Sequence, residues 1–114
     1  MSEPVFQAAL PLTDLPAGRM QVCRVAGREI LICHTRDGVF AVDNICTHAD
    51  ARMSEGWLRG TRLVCSLHGA CFDVRDGLVL APPAARALAT HAVRIAGGMI
   101  EVAVNPSAPP IVTY

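Results

Sequence analysis

The sequence predicts an all-β domain, an antiparallel sandwich or barrel. Three observations carry this. Away from the tails, the chain divides into short apolar runs separated by turn signals. Several of those signals are Asp-Gly or Gly-Gly pairs, residues that accept the positive φ of tight hairpin turns. No stretch of any length repeats its apolar residues with the helical period.

The runs follow in order. Gln21 to Val25 and Glu29 to His34 flank Ala26-Gly27-Arg28 and read as one hairpin. Val39 to Val42 follows Asp37-Gly38. Arg62 to Cys65 leads into a Cys/His pair. Phe72 to Val74 and Leu78 to Leu80 flank Arg75-Asp76-Gly77, and His91 to Ala96 and Met99 to Val104 flank Gly97-Gly98. That makes about seven or eight strands. A single helical turn fits Thr13 to Ala17, or the neighbourhood of Asp50 to Ser54. Two regions break the strand rhythm. Residues from about Asn44 to Gly60 read as loop, and Ala81-Pro82-Pro83-Ala84 is a rigid break, because each proline fixes φ and lacks an N–H. The tail from Asn105, rich in proline, reads as extended along the surface or frayed.

With 114 residues the chain suffices for one compact core and not for two. Hydrophobic residues make up 52% and charged ones 18%, which excludes a disordered chain. Net charge is zero and every basic residue is arginine, without a basic patch or tail. That argues against nucleic acid and against an anionic membrane surface. No apolar run approaches the roughly 20 residues of a spanning helix, and the N-terminus lacks the basic start of a signal peptide. Five cysteines, an odd number without the spacing of a secreted disulfide framework, suit a cytoplasmic protein with reduced thiols.

The chemistry concentrates in two pairs. Cys46 and His48 are spaced C-x-H, Cys65 and His68 C-x-x-H, with 16 residues between them. One cysteine or histidine alone is more often a packed or surface residue. Two such pairs in two turns point to metal. Zinc accepts two cysteines and two histidines in a tetrahedral site, but a zinc finger pairs cysteine with cysteine and histidine with histidine. One of each from either loop suits a two-iron, two-sulfide cluster whose variant places two histidines on one iron and two cysteines on the other. Both metals stay open on spacing alone. Cys33-His34 sits in a strand with its side chains on opposite faces and reads as structural, as do Cys23 and Cys71. Cys71, three residues after His68, is expected to face away from Phe72 and to be a packed thiol.

Beyond the ligands, V-D-N-I-C-T-H-A-D-A-R-M-S-E-G-W, C-S-L-H-G-A-C-F-D-V-R-D-G and L-A-P-P resemble the soluble Rieske ferredoxins of aromatic-ring-hydroxylating dioxygenase systems. The likeness runs from about Pro11 to Val104. It implies an antiparallel Rieske fold, a base sandwich or barrel with an inserted cluster-binding subdomain. Residues 1–104 would be one domain, with the subdomain at about 44–73, a proline loop at 81–84 shielding the cluster, and a tail at 105–114. It implies one [2Fe-2S] cluster, with Cys46 and Cys65 on the inner iron and His48 and His68 on the outer one. It implies a one-electron carrier, not an enzyme, between a flavin- and NAD(P)H-dependent ferredoxin reductase and a terminal oxygenase; a monomer is expected, although the sequence does not fix the oligomeric state.

High-potential members of that family carry a disulfide between the loops and hydroxyl donors to the cluster's sulfurs. Here T-H-A-D-A and C-S-L-H offer no such cysteine, and Ala70 and Phe72 stand where the hydroxyls would be, so a low potential is expected. Asp50, Arg52 and Glu55 read as a solvated loop, Trp57 as packing under it, and Leu67 as apolar contact area beside His68. No G-x-G-x-x-G and no second metal constellation occur, since only His34 and His91 remain. Two other readings are weighed: a small Rieske-like subunit of a nitrite reductase or other redox complex, and a zinc-binding structural module.

Overall fold

A computed structural model describes residues 4–47, 51–67, 69–82 and 86–109. Ten strands run through it: β1 (Gln7–Pro11), β2 (Met20–Val25), β3 (Arg28–Thr35), β4 (Gly38–Asp43), β5 (Trp57–Arg59), β6 (Arg62–Val64), β7 (Cys71–Asp73), β8 (Val79–Ala81), β9 (Thr90–Ala96) and β10 (Met99–Ala103). Two single turns of 3-10 helix, Leu12–Asp14 and Met53–Glu55, fall next to the places where one turn is expected. Every strand pair is antiparallel, as the sequence predicts.

The strands form two sheets. The larger has the order β1-β10-β9-β4-β3-β2, and the smaller the order β5-β6-β7-β8. The larger sheet curls until its edges approach, and the Cys23 thiol on β2 reaches the Ala9 carbonyl on β1 at 4.0 Å. Inside the curl lie Leu15, Val25, Ile30, Ile32, Ala41, Ile100 and Val102. A second core fills the space between the sheets, with Leu31, Cys33 and Val42 from the large sheet against Leu63, Phe72, Val74 and Leu88.

β3 explains this arrangement. Its residues alternate faces, so Ile30 and Ile32 enter one core while Leu31 and Cys33 enter the other. A strand covered on both sides reads as an unbroken apolar run, and Ile30 to Cys33 is one. The Cys33 thiol is pushed up to about 12 by that burial. Its neighbour His34 is the packed residue expected, with Nδ1–H donating to the Leu15 carbonyl at 2.6 Å.

Two strands escaped the sequence. β1 has no clean alternation and ends in Pro11; pairing with β10 holds it, with a register shift between Ala8 and Leu10. β5 lies inside the region read as loop and is only three residues long. Its identity comes from pairing Trp57, Leu58 and Arg59 with Val64, Leu63 and Arg62.

Candidate metal centre

The small sheet brings its two halves to one end. On β6 and β7, Leu63 faces Phe72 and Val64 faces Cys71. Beyond them the chain turns through a loop closed by the Cys65 N–H donating to the Ala70 carbonyl at 2.7 Å. Gly69 takes φ +73 in that loop, a conformation that an L side chain rarely adopts. The other loop closes in the same way. An isolated antiparallel bridge joins Ile45 to Arg52, and the Cys46 N–H donates to the Ala51 carbonyl at 2.9 Å. Each cysteine therefore opens a loop closed onto the residue five places later, and each loop holds one histidine of the motif. Thr47 Oγ1–H donates to the Arg86 carbonyl at 2.7 Å and ties the first loop to the segment after the prolines.

Cys46 and Cys65 meet where these loops converge. Both are buried in the inter-sheet core beside Met53, Ala70 and Phe72. Their thiols lie within hydrogen-bonding reach of one another. Burial pushes the Cys65 thiol up; the Leu67 backbone works the other way, and the hydrogen bond and charge of Cys46 push it up further. A metal ligand must be the thiolate, so a cation is what would favour ionisation of the Cys65 thiol here. This donor set fits a thiolate-ligated iron. His48 and His68 lie outside the described residues, as do Asp50, Pro83 and Ala84.

Cys71 is buried, on the face of β7 opposite Phe72 and paired with Val64 and Ala81, and it takes no part in the inter-sheet core. Burial raises its thiol as well. Leu67, in the second loop, is 41% exposed.

Trp57 departs from expectation. It is 53% exposed rather than packed beneath the loop. The reason is alternation: Leu58 points to the core, so Trp57 and Arg59 point away. Glu55 is exposed, but Arg52 is not a free cation, because its Nε–H donates to Glu29 Oε1 at 3.0 Å.

Two polar groupings were invisible in the sequence. Asn44, read as loop, is fully buried and hydrogen-bonded to Glu29 and to Ser54. Asp43, at the end of β4, accepts a two-pronged interaction from Arg28, Nε to Oδ1 at 2.8 Å and Nη2 to Oδ2 at 2.6 Å. It also accepts from His91 Nε2–H at 2.8 Å. The only signal was an Asp-Asn pair directly after an apolar strand, which ordinarily marks a turn.

The chain is similar to known proteins over most of its length. A Naphthalene 1,2-dioxygenase/salicylate 5-hydroxylase systems ferredoxin component from Ralstonia is 39% identical over 84 residues, 74% of this chain and 81% of that one. The naphthalene 1,2-dioxygenase system ferredoxin component of Pseudomonas aeruginosa is 35% identical over 94 residues, 82% of this chain and 90% of that one. Among solved structures, the ferredoxin of carbazole 1,9a-dioxygenase from Nocardioides aromaticivorans superposes with a TM-score of 0.83 at 31% identity, covering 91% of this chain and all of that one. The family profile of the Rieske [2Fe-2S] domain matches residues 5–92, well over half the sequence and including both Cys/His loops; this chain belongs to that family.

Proposed function

We propose that the protein is a one-electron carrier that takes electrons from a flavin- and NAD(P)H-dependent ferredoxin reductase and delivers them to a terminal oxygenase acting on aromatic compounds. Cys46 and Cys65 would hold one iron of a [2Fe-2S] cluster and His48 and His68 the other. When bound, such a cluster takes up and gives up one electron at a time. The observation that carries the reading is the pair of adjoining buried thiols, one from each of two loops built alike, in a chain whose relatives are named as dioxygenase ferredoxin components.

The chain's own residues do the rest. Met53, Ala70 and Phe72 pack beside the two cysteines and keep water from the inner side. Leu67 supplies exposed apolar area next to His68, suited to the small, short-lived contact an electron carrier needs. In this reading residues 1–104 are one domain, about 44–73 its cluster-binding part, 81–84 the proline loop over it and 105–114 a tail. The setting is the cytoplasm and the working form a monomer. No helix among the described residues is long and apolar enough to cross a membrane.

The test combines composition with turnover. Purified protein is expected to carry two irons and two acid-labile sulfides and to sustain NADH-driven oxidation when mixed with the reductase and oxygenase of its own gene cluster. A colourless protein with one zinc overturns the reading in favour of a structural module. Co-purification with a nitrite reductase, without turnover by an oxygenase, moves it to the other redox complex.

A further inference from the structure

Asn44 joins three elements. It directly follows β4, precedes Cys46 by two residues, and is fully buried. Its side chain reaches back to Glu29 on β3 and forward to the turn Met53–Glu55. Nδ2 donates to Glu29 Oε1 at 2.6 Å and to Ser54 Oγ at 3.2 Å, and Oδ1 accepts the Ser54 N–H at 2.8 Å. Its backbone is engaged too, taking the Met53 N–H at 2.6 Å and donating to the Glu29 carbonyl at 3.3 Å. The amide can sit only one way round. A carboxylate only accepts and a backbone N–H only donates, so exchanging O and N would break both contacts. Glu29 is held in turn by Arg52, on the far side of the same loop. The hydrogen bond from Asn44 keeps the Glu29 carboxyl below its ordinary range, ahead of the opposing effect of burial and of the help from Arg52.

This is more than a buried polar group needs to be satisfied. A single base-sheet carboxylate grips both ends of the first loop, through Asn44 before Cys46 and Arg52 after it. We propose that Asn44, together with Glu29, is a positioning residue that fixes Cys46 against Cys65 and so sets how firmly the iron is held. The proposal rests on the ligand assignment given above for Cys46. Neither side chain is a ligand; each acts through the loop.

The experiment measures iron loss to a chelator and the reduced-state paramagnetic spectrum of the holoprotein. N44D sets a carboxylate oxygen against Glu29 Oε1. It is expected to lose iron about tenfold faster, the lower end of what removing support behind a metal ligand costs, and to shift the spectrum. In the double variant N44D/E29Q the amide at position 29 donates to the new carboxylate, while the Ser54 N–H still does so; the cost is the Arg52 contact, because Arg52 Nε–H donates to the same Oε1 that the amide N–H2 replaces. The double variant is expected to recover part of the lost retention and to move the line shape back toward the original. Recovery of this kind does not follow if Asn44 merely fills space. Wild-type retention and spectrum in N44D, or no recovery in the double variant, overturn the proposal. Should N44D give no folded protein, S54A decides, since it removes only the 3.2 Å contact: faster iron loss supports the proposal and an unchanged rate overturns it. C46S separates this from the ligand reading. A cluster that survives C46S refutes the ligand assignment, whereas its loss in C46S beside unaltered N44D refutes only the role of Asn44.

Discussion

Five cysteines in one chain fall into different classes for reasons of position. Cys46 and Cys65 adjoin each other in the inter-sheet core, Cys33 is enclosed within β3, Cys71 lies on the other face of β7 from Phe72, and Cys23 sits at the seam of the curled sheet. C65S and C46S are therefore expected to abolish the visible spectrum, while C71S leaves it intact; absorbance of the purified variants decides. The potential is also set at single residues. Ala70 and Phe72 are both buried beside the two cysteines, and neither has a hydroxyl to donate to a sulfur. Such hydrogen bonds stabilise the reduced, more negative cluster, so without them the midpoint should lie near the low end of the family's span of roughly −150 to +300 mV. A redox titration that gives a midpoint well above zero would falsify this.

At the scale of elements, the loops depend on how the short strands fit. Gly56 follows the turn Met53–Glu55, and a Cβ there would collide with the Val64 carbonyl, one residue before Cys65. The neighbour is backbone and cannot rotate aside. G56A is expected to cost about 2 kcal/mol, typical of an overpacked site, and to lower the iron bound per chain. Urea unfolding and iron content of the same preparation measure the two effects. These tight fits also explain what could be read from sequence. β3, β4, β9 and β10 were legible because hairpin turns and long apolar runs announce them. β5 was not, because three residues carry no period and only pairing with β6 makes them a strand. The site divides likewise: spacing singled out Cys46, His48, Cys65 and His68, but nothing in D-N-I-C says that Asn44 is buried. Its burial follows from Glu29, 15 positions earlier, and Ser54, 10 later, folding onto it. Trp57 was misjudged for the same reason, since its outward face is fixed by the register of β5 on β6.

The molecule as a whole is tied together by a polar network in the large sheet. Arg28 on β3, Asp43 on β4 and His91 on β9 join three neighbouring strands, and the Asn105 N–H donates to His91 Nδ1 at 3.0 Å. Arg28 Nη2 also donates to the Pro109 carbonyl at 2.6 Å, fastening the tail. Burial alone would push the Asp43 carboxyl up, but the hydrogen bonds and charges of Arg28 and His91 outweigh it and leave Asp43 below its ordinary value. A carboxylate so depressed contributes stability above its unfolded pKa of about 4, and that contribution drains away as pH falls toward the folded value. D43N leaves Arg28 largely enclosed without its countercharge. It is expected to cost about 3 kcal/mol at neutral pH, the range for removing one partner of a buried pair. Glu29 and Asp73 are depressed too, the first mainly by Asn44 and the second mainly by Arg75, so acid weakens both proteins. Loss of iron in acid also burdens both alike. The difference between wild type and D43N is thus the quantity that isolates Asp43. Denaturant unfolding should give a gap that is widest at neutral pH and narrows steadily below about pH 4. A gap that stays constant into acid would mean that Asp43 acts through shape and not through charge.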